Sequence, residues 1–139
     1  MDSGLEDNDP LMNENLFEGD IMLPKGVSPR TKLDGGVELW PNKIVPYKMD
    51  NNLDRHARHQ IYLAISRFHF DTCIKFVPKR RGDEDYIYFE QSKNPDNCAV
   101  QHIGKSLLGG KQKVFLGSDC GVGTIQHELM HSLGKALLF

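Results

Sequence analysis

The sequence predicts an α+β fold in which a twisted mixed five-stranded sheet packs with two helices and follows an extended arm. The main observation is the order of the predicted elements, β, α, β, β, β, β, α, which contains no internal repeat. A second is a change in composition: residues 1–36 are rich in Asp, Asn, Gly and Pro, whereas 37–139 are globular in character. We therefore expect an arm and linker (1–36) and one domain (37–139) with a modest core.

The elements of the domain follow from local patterns. Apolar residues over 37–49 predict a first strand, which Pro41 and Pro46 restrict to an edge or irregular position. The turn at 50–52 offers an N-cap for a helix over about 53–71, where apolar residues recur at helical spacing. Shorter runs predict strands at 74–77, 86–90, 99–103 and 113–117. Gly121 and Gly123 then lead into a second helix from about Thr124.

Composition argues against two classes of partner. The formal net charge is −2, whereas a nucleic-acid binder usually carries a strong basic excess. No stretch approaches the roughly 18 consecutive apolar residues that a membrane helix needs. No secretory signal is visible, because residues 1–10 are polar and acidic without an apolar core.

The second helix carries the most informative pattern, His127-Glu128-Leu129-Met130-His131. Residues four apart turn through about 400°, so both imidazoles lie on one face and can reach one zinc ion. Glu128 is placed to polarise a water at that zinc. The alternative is an ordinary amphipathic helix with a polar stripe. We favour the zinc site because an apolar stripe lies opposite the histidines and because Gly134 can end the helix, letting the chain turn back toward the metal.

A third zinc ligand is missing from its expected place. Catalytic zinc usually has three protein ligands and one open position. The metzincin signature places a third histidine three residues after Gly134, but this sequence has Leu137 there. His102, on a predicted strand, is a poorly supported substitute. The remaining histidines lie on the first helix and are better explained as structural: His56, His59 and His69.

The three cysteines, Cys73, Cys98 and Cys120, leave at least one without an internal partner. Their spacing is unlike the close pairs of a zinc ribbon. Disulfides are expected if the chain is extracellular, and free thiols if it is cytosolic.

Several segments together resemble the astacin family of secreted zinc metalloendopeptidases. They are Trp40-Pro41 with the strand at 44–47, the segment 72–76, the cysteine-bearing strand 98–104, residues 114–116, and the helix 127–134. The resemblance covers about residues 37–134 and implies the N-terminal half of a metzincin (zincin-like) catalytic domain. It also implies a secreted protein that hydrolyses peptide or protein substrates with one Zn²⁺, the substrate strand pairing along 99–104.

The resemblance assigns roles to individual residues. It implies His127 and His131 as zinc ligands, Glu128 as the general base, and a disulfide between Cys98 and Cys120. The pattern Phe17-Glu18-Gly19-Asp20 is similar to the family's propeptide switch, in which the aspartate binds zinc and keeps the enzyme latent. An activating protease would cut after Asp20, with Arg30 or Lys32 as candidate sites. Cys73 would pair in the family's C-terminal half.

The sequence departs from the family after Gly134. The segment 135–139 replaces the third histidine, so we expect a truncated chain with little or no peptidase activity. Asp20 could then complete a closed zinc site with His127 and His131. The alternative function is a catalytically inactive fragment that acts as a binding or decoy module.

Overall fold

A computed structural model describes residues 16–17, 21–22 and 38–134 of the chain. The predicted latency residue Asp20 and the substituted position Leu137 lie outside the described residues.

The predicted mixed sheet and two helices are confirmed. Among the described residues, the domain contains five strands and two helices, and two short strands from the arm extend the sheet. The bounds are β1 Leu16–Phe17, β2 Ile21–Met22, β3 Ile44–Met49, α1 Arg55–Asp71, β4 Lys75–Pro78, β5 Tyr86–Gln91, β6 Cys98–Val100, β7 Lys111–Leu116 and α2 Val122–Ser132.

The strand order, within the described residues, is β1-β2-β6-β7-β5-β3-β4. Strands β4, β3, β5 and β7 run parallel to one another, and β6 is antiparallel to β7. The core lies between this sheet and the helices. It includes Val45, Phe89 and Val114 from the strands and Ile61 and Leu129 from the helices, all at most 1% exposed. Each such side chain contributes about 1.5–3 kcal/mol through burial.

Strand β3 corrects one expectation. It lies between β4 and β5 instead of at an edge. Pro46 is tolerated there because its register partner is Val77 of β4, while pairing with β5 begins only at Tyr47. The proline therefore occupies a stretch of β3 that has one neighbouring strand, where a missing N–H costs little. Pro41 opens a short 3-10 helix, Pro41–Lys43, before the strand.

Helix α1 begins two residues later than expected. Its N-cap is Asp54, whose carboxylate accepts a hydrogen bond from the backbone N–H of Ala57 at 2.8 Å, so the cap predicted at 50–52 was wrong. Leu53 is buried just outside the helix. Neither helix among the described residues combines the length and apolar character that crossing a membrane requires.

Two short strands of the arm, β1 and β2, join the sheet beside β6. β1 pairs antiparallel with β2, and Ile21 of β2 pairs in parallel with Val100 of β6. Sequence reasoning expected an extended arm without strands of its own. The backbone hydrogen-bonding groups on the outer side of β6 explain the difference, since an unpaired strand edge readily accepts another strand.

Candidate metal centre

Helix α2 packs against the core through its apolar side, and this places the histidine pattern on the opposite side of the helix. Ile125 and Leu129 are at most 1% exposed and belong to the core, as the apolar stripe predicted. The helix ends at Ser132, and Gly134 follows with φ of 111°, a left-handed conformation that glycine adopts without strain. The N–H of Gly134 donates to the carbonyl of His131 at 2.9 Å, which closes the last turn.

The two imidazoles converge. Nε2 of His127 and Nε2 of His131 are 3.0 Å apart, the ring centroids are 4.5 Å apart, and the ring planes are at 84°. Two nitrogens that share a tetrahedral zinc at about 2.0–2.1 Å would lie roughly 3.3 Å apart. The observed separation is close to that value. The pair therefore has the geometry of two ligands aimed at one point, as the one-turn spacing predicts.

Glu128 lies between the two histidines in sequence and is 1% exposed. His131 is equally buried, while His127 is partly exposed. The hydroxyl of Ser132 donates to the backbone carbonyl of Glu128 at 3.3 Å, inside the same turn. The motif thus has one carboxylate and one imidazole shielded from water and one imidazole that water can reach.

The C-terminal end of α2 is held by bonds from distant parts of the chain. The indole N–H of Trp40 donates to the carbonyl of Ser132 at 2.9 Å. The N–H of Gly104 donates to the carbonyl of His131 at 2.8 Å. These bonds satisfy carbonyls that a helix end leaves without an intrahelical partner. They fix the backbone that carries His131.

Gln112 supports the same end of the helix, and sequence reasoning missed it. Its side chain is 2% exposed. Its Nε2 donates to the carbonyl of Gly104 at 2.8 Å, and its Oε1 accepts from the N–H of Ser106 at 2.9 Å. The sequence does contain a pattern that indicates the burial of Gln112. Every second residue of β7 from Gln112 onward lies on the same face, and the other two, Val114 and Leu116, are apolar; all three are buried.

The loop between β6 and β7 is further held by an ion pair. Lys105 Nζ lies 3.1 Å from Asp85 Oδ2, and Asp85 Oδ1 accepts from the N–H of Gly110 at 2.6 Å. The hydrogen bond from Gly110, and then Lys105, hold the pKa of the Asp85 carboxyl below its usual value. The loop beside His131 is therefore anchored at several points.

Catalytic zinc usually has three protein ligands, and two histidines would supply only two of them. Within residues 16–17, 21–22 and 38–134, no group of three or more His, Cys, Asp or Glu side chains is placed to hold a metal ion. His102 was predicted to lie on a strand and was considered only a poorly supported substitute ligand. It lies beyond the end of β6, which stops at Val100, and it completes no such group. The predicted third ligand, Asp20, lies outside the described residues.

The arm nevertheless passes close to this region. Ile21, the residue after Asp20, is the register partner of Val100 on β6. Strand β6 in turn packs against α2. The described residues on both sides of 18–20 thus lie in two strands that extend the sheet from β6, which packs against the histidine-bearing helix α2.

Cys98 and Cys120 form a disulfide, with Cα atoms 6.2 Å apart, as the family resemblance implies. It ties β6 to the turn that precedes α2. The closed loop stabilises the fold by roughly 3 kcal/mol in the chain-entropy model. Cys73 is a free, exposed cysteine among the described residues.

Comparison with known proteins gives the family. The sequence model of Astacin (Peptidase family M12A) matches residues 33–136. The chain is 37% identical over 137 residues to zinc metalloproteinase nas-4 of Caenorhabditis elegans, covering 91% of this chain and 41% of that protein. It is 34% identical over 139 residues to meprin A subunit beta of Rattus norvegicus, covering 96% of this chain and 18% of that protein.

A solved structure is also similar. High choriolytic enzyme 1, a hatching enzyme zinc-protease from Oryzias latipes, aligns with a TM-score of 0.58 and 26% sequence identity. The alignment covers 71% of this chain and 48% of that one. The chain thus spans less than half the length of these relatives. Motif, fold and sequence agree, and the chain belongs to the astacin family, peptidase family M12A.

Proposed function

We propose that this chain carries part of the catalytic apparatus of a secreted, astacin-type zinc metalloendopeptidase, in a latent or impaired form. The observation that carries the proposal is the convergence of Nε2 of His127 and His131, 3.0 Å apart, on a helix buried along its other side. These atoms would hold one zinc ion. When bound, the ion would supply the Lewis acidity that peptide-bond hydrolysis needs at neutral pH.

Glu128 would act as the general base. Its side chain lies on the same helix turn as the two imidazoles and is shielded from bulk solvent. A carboxylate in that position can take a proton from the attacking water and later pass it to the nitrogen of the leaving amine. The burial supports this role, because protons then exchange with the substrate and not with solvent.

The substrate would be an extended peptide or protein segment beside β6. One side of β6 is paired with β7, and its other side accepts β2 of the arm. An added strand gains main-chain hydrogen bonds along such an edge. The arm and a substrate would therefore compete for the same side of β6, and this supports a latent state.

Asp20 would strengthen the latent state by binding the metal through its carboxylate. Carboxylate oxygen is a good zinc ligand and would fill a position that catalysis needs open. An activating protease would cut the linker after Asp20, with Arg30 and Lys32 as candidate sites. The test is zinc affinity by competition with a chromophoric chelator: Asp20→Ala should weaken binding at least tenfold, and the matched control Glu18→Ala should not. Equal zinc affinity of the unaltered chain and both variants would exclude Asp20 as a zinc ligand.

Impairment would follow from Leu137, whose hydrocarbon side chain has no lone pair for a metal. Loss of a partner that merely orients a ligand costs about 10–100-fold in metal affinity, so loss of a ligand should cost more. Hydrolysis of a quenched fluorescent peptide tests the enzyme proposal. Weak turnover abolished by both a chelator and Glu128→Gln would support it, and turnover that survives both would contradict it.

A second function is a non-catalytic binding or decoy module for extended peptides. The pairing of β2 along β6 favours it, because it demonstrates that this edge accepts a strand. Saturable binding of a peptide without turnover, unaffected by removal of metal, would favour this reading over the enzyme. Binding that requires the metal, with turnover, would exclude it.

A further inference from the structure

A basic pocket opens on the part of the sheet farthest from β6. Three strands separate β6 from β4, and the pocket lies where β3 and β4 end beside α1. It encloses about 340 Å³, and none of its lining residues is acidic. Five cationic side chains line it: Lys48, Arg58, Lys79, Arg80 and Arg81. We infer that this basic pocket binds a sulfated glycan at a site separate from the proposed metal centre.

Arg58 gives the pocket a fixed positive charge. Its Nε donates to the carbonyl of Leu53 at 2.9 Å, and its Nη2 donates to the carbonyl of Asp50 at 2.8 Å. Both acceptors are backbone atoms, and among the described residues Arg58 forms no ion pair with a carboxylate. A cation held in place before binding loses little conformational entropy when an anion arrives.

The remaining cations stand at the rim. Lys48 and Arg81 are exposed and form no ion pair with any residue that the structure describes. Arg80 is paired with Asp83, its Nε lying 3.7 Å from the carboxylate. Lys79 donates to the carbonyl of Arg80 at 3.1 Å and has no carboxylate partner in the part of the chain that the structure describes. The pocket therefore keeps a local positive excess in a chain of net charge −2.

Tyr62 adds an exposed ring surface that suits a sugar, and the mostly buried Tyr47 adds a hydroxyl to the pocket lining. Tyr62 on α1 is 50% exposed, and Tyr47 on β3 is 9% exposed. Burial, followed by the neighbouring Tyr62, raises the pKa of Tyr47, so its hydroxyl stays protonated and able to donate a hydrogen bond. A ring with an apolar body and a polar tip can cover the face of a sugar while arginine and lysine bind its sulfates.

The setting favours a glycan over other polyanions. The Cys98–Cys120 disulfide indicates an oxidising, extracellular-type compartment, where nucleic acids are scarce and sulfated polysaccharides are abundant. The volume lies at the lower end of the range for small-ligand pockets and suits one or two sulfated sugar units. Because the site lies away from β6, occupancy would tether the protein without blocking a peptide there.

The test measures binding of a heparin-derived tetrasaccharide to the 139-residue chain by isothermal titration calorimetry at low salt. The double variant Lys48→Glu/Arg81→Glu should lose at least tenfold in affinity. The matched control is Lys43→Glu/Lys75→Glu, which reverses two exposed charges at the opposite ends of β3 and β4 and changes net charge equally. It should lose no more than threefold. Thermal melts of both variants monitor folding.

The sugar-ring contact has its own pair of variants. Tyr62→Ala should weaken tetrasaccharide binding about tenfold, while Leu63→Ala, its exposed neighbour outside the pocket, should not. Equal losses of affinity in the two double variants would mean that binding depends only on net charge, and this would overturn the inference. Inorganic sulfate or an oligoglutamate peptide of equal charge that binds as tightly as the tetrasaccharide would also overturn it.

Discussion

Gln112→Ala should destabilise the domain far more than a surface glutamine substitution does. The change removes two hydrogen bonds in a buried site, at 2.8 and 2.9 Å, and leaves the carbonyl of Gly104 and the N–H of Ser106 without those partners. Each buried group left unsatisfied costs about 1–3 kcal/mol, so the free energy of unfolding should fall by about 2–6 kcal/mol. Urea denaturation followed by circular dichroism measures this directly.

The matched control is Gln126→Ala on helix α2. Its side chain makes an exposed contact of 3.5 Å with Nη1 of Arg67, at the limit for a hydrogen bond. This variant should change the unfolding free energy by less than about 0.5 kcal/mol. A Gln112→Ala loss below about 1 kcal/mol, or one equal to that of the control, would refute the claim that Gln112 anchors the loop behind His131.

Three further results are expected. Removing the disulfide through Cys98→Ala/Cys120→Ala should lower stability by roughly 3 kcal/mol in urea melts, whereas Cys73→Ala should not, and a loss as large in Cys73→Ala would contradict this. Trp40→Phe should cost about 1–3 kcal/mol because it leaves the buried carbonyl of Ser132 without its indole donor, and an unchanged melt would contradict that role. The hydrogen bond from the Tyr88 hydroxyl to Asp50, at 2.6 Å, raises the pKa of Tyr88 to about 12. The stability that this bond contributes is therefore present below about pH 10 and is lost as the pH rises through about 12. In Asp50→Asn, tyrosinate absorbance should show the titration of Tyr88 moving down toward pH 10, and an unmoved titration would contradict this.

The sequence predicted the helix that carries the histidine pair because spacing alone determines it. Four residues make about one helical turn, and the apolar residues Ile125 and Leu129 fix which side is buried. The two helices and five strands of the domain also follow from local periodicity. Among the α1 histidines, His69 has the structural role expected, since its Nε2 accepts from the N–H of Phe76 at 2.8 Å.

The features that were missed depend on distant contacts. Pro46 suggested an edge strand, but its tolerance depends on where β5 starts to pair with β3. The arm has no strong strand pattern, and it becomes strands because β6 offers an edge. Local patterns could not show that Trp40 bonds the end of α2, 92 positions away, or that Gln112 holds the loop at Gly104 and Ser106. The expectations for Asp20 and Leu137 stay predictions.

Zinc stoichiometry after equilibrium dialysis tests the central claim most directly. The full chain should retain one zinc ion, and His127→Ala and His131→Ala should each release it while far-UV circular dichroism stays unchanged. The exposed histidine variant His59→Ala on α1 serves as the matched control and should retain the metal. A folded chain that binds no zinc, or histidine variants that keep it, would contradict the account.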